Sequence, residues 1–185
     1  MMKQSRSIIA FFIVLIAAFS LPAWGQLGYE GEPVNFARYN LSGPRLGFTV
    51  IPNGELRKEL EENNLGTVLS QFGWHFEGQV VPETRGPAFV IQFVPLISGV
   101  EYGKVIPHLT LAMGIRMPNG IEFGLGPNLL YAGDSLRTAL VLGVGKTFNY
   151  GGVNIPLNIA VATNPDGYQF SLVFGYSIAS GKRKK

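Results

Sequence analysis

The stretch YQFSLVFGYSI at 168–178 alternates with a period of two. Its even positions are Tyr168, Phe170, Leu172, Phe174, Tyr176 and Ile178, and its odd positions are Gln169, Ser171, Val173, Gly175 and Ser177. Successive side chains of a strand point to opposite faces, so this segment reads as a β-strand with one large apolar face and one small or polar face. The same period recurs upstream. Residues 153–161 set Val153, Ile155, Leu157, Ile159 and Val161 against Asn154, Pro156, Asn158 and Ala160, and 121–129 set Ile121, Phe123, Leu125 and Leu129 against Glu122, Gly124, Gly126 and Asn128. Residues 105–117, 136–150 and 68–80 behave alike, and 44–51 and 87–100 are weaker but strand-like. That makes eight strands, with turn signals at 82–86, 101–104, 118–120, 132–135, 151–152 and 164–167.

Register tests this reading. Residues facing each other across an antiparallel ladder share a face, so the parity of two strands fixes the length of the turn between them. A Pro118-Asn119-Gly120 loop pairs Met117 with Ile121 and Arg116 with Glu122, with Gly120 free to take positive φ. A Gly151-Gly152 turn pairs Phe148 with Ile155, and a four-residue Asn164–Gly167 loop pairs Val161 with Phe170 and Ile159 with Leu172. Prolines 95, 107, 127 and 156 fall within nominal strands and are expected at ends, bulges or edges. One helix is expected, over Glu55–Glu62 with Leu56 and Leu60 on one face. It closes at Asn63, Asn64 and Gly66, and reads as a short acidic surface element.

The polar face decides which side is wet. A soluble exterior carries Lys, Glu, Asp and Arg at about a quarter to a third of its positions. Between Pro87 and Ser180 the charges are Glu101, Lys104, Arg116, Glu122, Asp134, Arg137, Lys146 and Asp166, and Glu101, Lys104, Asp134 and Asp166 of these lie in turns. The rest of the polar face is Gly, Ala, Ser, Asn, Thr and Gln, which suits the crowded inside of a narrow barrel. Tyr131, Tyr150, Tyr168 and Tyr176 sit near strand ends, where membrane-interface aromatics belong.

In strand number, alternation and aromatic last strand, residues 43–179 resemble the small eight-stranded outer-membrane β-barrel proteins. The resemblance implies an all-β fold: an eight-stranded antiparallel up-and-down β-barrel over 43–180, with one short helix in the first strand connection. It also implies outer-membrane lipid and the barrel-assembly machinery as partners, and a structural or interaction role in a bacterial outer membrane. Such chains usually end on an aromatic that the assembly machinery reads, whereas here ASGKRKK follows the last strand. With both termini in the periplasm, residues 52–66 would face outward and offer a surface to a protein partner. The alternatives are a soluble periplasmic β-barrel that binds an apolar ligand inside, and a lipid A-modifying outer-membrane enzyme.

The rest of the chain frames these readings. Lys3 and Arg6, the uncharged run from Ile8 to Phe19 and the small residues Ala23 and Gly25 read as a signal peptide over 1–25, cleaved before Gln26. An extended lead-in covers 26–42 and a basic tail 181–185. The net charge of +3 falls to +1 without the leader and to −3 without the tail, and the remaining basic residues are scattered, so no nucleic-acid partner is expected. With no Cys and only His75 and His108, no metal or cofactor site is expected.

The membrane reading sorts the named residues into two sets. Arg45, His75, Glu77, His108, Arg116, Glu122 and Arg137 form an inward polar cluster, with Arg116 opposite Glu122 as its sharpest pair. Phe72, Trp74, Phe123, Leu157, Phe170, Phe174 and Tyr176 face lipid. His108, Thr110 and Glu122 are the parts of a nucleophilic hydrolase site, and in this they are similar to lipid A deacylases, which use His, Ser and Glu. Thr stands here for Ser, and an inward position would keep the site from its lipid. No catalytic residue is therefore assigned. Gly124, Gly126, Gly143 and Gly145 lack a following helix, so they read as small inward residues at crowded positions and not as a dinucleotide loop.

Overall fold

The computed structural model describes residues 40–52, 54–80, 87–132, 135–165 and 167–178. The expected leader, most of the lead-in and the basic tail lie outside the described residues. Eight strands run in sequence: β1 (Gly43–Val50), β2 (Val68–Val80), β3 (Ala88–Ser98), β4 (Ile106–Arg116), β5 (Ile121–Ala132), β6 (Ser135–Tyr150), β7 (Val153–Asn164) and β8 (Gly167–Gly175). A two-residue β9 (Ser177–Ile178) continues the line of β8 past Tyr176 and pairs with the start of β7. Every ladder is antiparallel, and β1–β8 and β6–β7 pairings join the ends, so the sheet closes into an eight-stranded barrel.

Following ladder partners once around, from Leu46 to Phe72, Ile97 and Pro107 and on at constant register, returns to β1 ten residues out of step. That stagger is what inclines the strands to the barrel axis, by about 35–45°. An 11-residue strand such as β4 then spans roughly 28 Å along the axis at about 3.3 Å per residue.

The hairpins have the register that parity requires: Arg116 pairs with Glu122, Phe148 with Ile155, and Ile159 with Leu172. Gly120 has φ 84°, and Gly151 and Gly152 have φ 58° and 86°, values that side chains with a Cβ rarely adopt. The last loop is tighter than expected, since Asn164 and Gly167 are already ladder partners.

The prolines depart from expectation. Pro95 and Pro127 sit well inside β3 and β5, and a closed barrel has no edge to receive them. The β2–β3 ladder lapses opposite Pro95, between the Gly73–Leu96 and Phe76–Phe93 pairs. The β4–β5 ladder lapses opposite Pro127, between Thr110–Asn128 and Met113–Leu125. A proline has no N–H to give, so each costs its strand a bond on one side while the other ladder holds the register.

The helix, α1 (Glu55–Glu62), also corrects the sequence reading. It is acidic on its outer side, but Leu56 and Leu60 are buried with Ile51, Leu65, Leu69, Ile106 and Leu130 in one apolar cluster. Because β1 and β2 enter and leave at that end, the connection folds over the barrel mouth and α1 caps it. Among the described residues no helix is long and apolar enough to cross a membrane, which says nothing of strands.

Candidate functional site: the polar interior

The strands turn their bulky faces outward. Phe72, Trp74, Phe123, Phe174 and Tyr176 are exposed, and Leu157 and Phe170 are half-buried on the same face. Inside, the seven polar residues do not form one cluster. Five gather at the end where the chain enters and leaves the barrel, and two lie toward α1.

Arg116, 0% exposed, is the centre of the first group. Its Nε donates to Glu122 Oε2 at 2.7 Å, and its Nη1 and Nη2 donate to Glu77 Oε1 and Oε2 at 2.8 and 2.5 Å. Both Glu77 oxygens are thus taken by one planar guanidinium, a geometry that lysine cannot reproduce. Gln92 Nε2 donates to the other Glu122 oxygen at 2.5 Å. The network continues through His75, whose Nε2 is 3.9 Å from Glu77 and whose Nδ1 is 3.0 Å from Arg45 Nη2. Arg45 donates to the carbonyls of Leu41 and Pro44 at 2.7 and 3.1 Å, and the Leu41 N–H donates to Glu77 at 2.6 Å. Two arginines and two glutamates balance inside the wall, and the incoming chain at 40–42 is tied into them.

Toward the cap the partners change. His108 Nε2 lies 2.5 Å from Ser98 Oγ, with Ser98 fully buried. Thr110 accepts from Asn128 Nδ2 at 2.8 Å, and Glu122 bonds Arg116 and Gln92. His108, Thr110 and Glu122 therefore do not assemble into the hydrolase arrangement that their spacing raised. Arg137 pairs with Glu59 of α1, which ties the cap to β6.

Between the two groups lies a cavity of about 130 Å³ whose lining includes Arg45, Gln71, His108, Gly124, Gly143 and Asn158. Glycine reading proves half right here. A Cβ on Gly126 would meet the Leu111 carbonyl and one on Gly145 the Asn158 side chain, whereas on Gly124 or Gly143 nothing lies nearer than 3.7 Å. Backbone approach requires glycine at 126, at 145 the Asn158 side chain would have to turn aside, and the other two leave the centre open.

Sequence reasoning missed three features. Glu77 bridges to Arg116 across an intervening strand, Ser98 is the partner of His108, and Lys146 lies on the outer face. Parity could have found the last, because 146 falls between the outward Val144 and Phe148.

The class these features define is a closed, eight-stranded antiparallel barrel with its ions inside and its large apolar side chains outside. No family model, curated protein or solved structure matches the chain.

Proposed function

We propose that this chain is a small integral β-barrel of a bacterial outer membrane, with a closed interior and a structural or interaction role. One observation carries the reading: the wall is inverted relative to a water-soluble barrel. Of the charged residues in strands, Arg45, Glu77, Arg116, Glu122 and Arg137 point inward, while Leu46, Trp74, Phe93, Met113, Phe123 and Leu142 are among the exposed outer side chains. A contiguous apolar surface of this kind far exceeds the few hundred Å² that soluble monomers expose. Lipid is the solvent in which it costs nothing, and barrel closure leaves no backbone edge unpaired there. The roughly 28 Å strand span is close to the apolar band of about 25 Å in such proteins.

A conducting role is disfavoured by the same geometry. Eight strands leave an interior wide enough only for side chains, the Arg116 network crosses one end and α1 covers the other. Residues 52–66 are the most elaborate connection and the natural place for a protein partner. The reading predicts a heat-modifiable band: unboiled protein from outer-membrane detergent extracts should migrate apart from boiled protein on a gel. Release of the folded chain in the soluble periplasmic fraction would overturn it in favour of the ligand-carrying barrel.

A further inference from the structure

Lys146 is the exception on the outer wall. Among the described residues it is the one charged side chain on the outward face of any strand. Its ladder partners are Ile121 and Leu157, and Val144 and Phe148 precede and follow it on the same face. All four are apolar, and no described residue gives its ammonium a hydrogen bond or an ion pair. An anion for this amine would have to come from outside the protein.

Its height on the wall says which anion. β5 begins at Ile121, and Thr147 N–H donates to the carbonyl of Gly120 at 2.9 Å, so Lys146 is level with the Pro118–Gly120 turn. That turn lies at the end of the barrel where the chain enters and leaves. Among the described residues, the β6–β7 hairpin tip continues past it, carrying Phe148 and the exposed Tyr150, together with the β8–β9 end that pairs with Val153 and Asn154. A lysine just inside this rim can lay its stem along the wall and lift its head to the headgroup layer. At mid-membrane the same charge would be costly, but near the interface the penalty nearly vanishes.

We propose that Lys146 binds the phosphodiester of an anionic phospholipid in the leaflet at the terminal end of the barrel, and so fixes the height of the wall in the membrane. This rests on the membrane reading above. The test uses the protein refolded into phosphatidylcholine vesicles with a minor share of phosphatidylglycerol, followed by mild extraction and native mass spectrometry of retained lipid. Retained phosphatidylglycerol should fall about fivefold in Lys146→Met and persist in Lys146→Arg. Methionine suits the apolar wall, so the variant should fold. Equal retention in the wild type and Lys146→Met overturns the site while leaving the membrane reading intact. A Lys146-dependent adduct of inorganic phosphate in lipid-free detergent, with no lipid preference, overturns the lipid assignment. Failure of the wild type to insert at all overturns the membrane reading, and this proposal with it.

Discussion

Replacing Arg116 with methionine is expected to destabilise the barrel by about 3–5 kcal/mol, the usual cost of removing one partner from a buried ion network. The side chains of Arg116 and Glu77 are both 0% exposed, and that of Glu122 is 13% exposed. Without the guanidinium, two carboxylates are left close together in a dry interior, with Gln92, His75, the Leu41 N–H and the charge of Arg45 to answer them. The loss should therefore exceed what the missing packing would explain. A double variant, Arg116→Met with Glu122→Gln, removes one charge of each sign and leaves buried Arg45 to balance Glu77, so it should regain much of the stability. Urea unfolding of the barrel in detergent micelles, followed by the gel shift of the folded form, measures both. A loss below about 1 kcal/mol in the single variant would mean that the network is solvated.

The second large effect lies on the outer wall. Leu125 is exposed and pairs with Met113 on one side and Leu142 on the other, midway along β5. Leu125→Arg should cost about 2–4 kcal/mol when the protein unfolds from lipid vesicles, as a guanidinium near the bilayer midplane must be dragged to water or drag water in. On a surface facing water the same change would lie within about 0.5 kcal/mol. The two expectations differ by several-fold, so the variant discriminates between solvents with no need to know the biological role. Comparison with Lys146→Arg, nearer the rim, should show almost no loss.

What could be read from sequence follows the reach of each interaction. The strand set and three hairpin registers depend on alternation and on glycine turns, both local, so Arg116 opposite Glu122 was legible from the Pro118–Gly120 loop alone. Glu77 was not, because β2 and β4 are separated by β3 and meet only through the curvature of the closed barrel. Ser98 and His108 are diagonal neighbours across β3–β4, a contact fixed by where the 99–105 connection turns, and the spacing inside β4 pointed to Thr110 instead. The docking of α1 was half legible. Leu56 and Leu60 share a helical face, but that the face covers the barrel mouth depends on where β1 ends and β2 begins. Pro95 and Pro127 misled because the rule that sends proline to sheet edges has no edge to act on in a closed wall.

The most direct test of the inverted wall uses Trp74, the only tryptophan from Gln26 onward, which is 45% exposed on the outer face of β2 and paired with Pro44. The chain starting at Gln26 is reconstituted into vesicles whose acyl chains carry bromine, and Trp74 fluorescence is compared with that in unbrominated vesicles. Strong quenching with a blue-shifted emission maximum is the result predicted here. Emission that is unaffected by bromine, from a folded protein that stays in the aqueous phase, would contradict it.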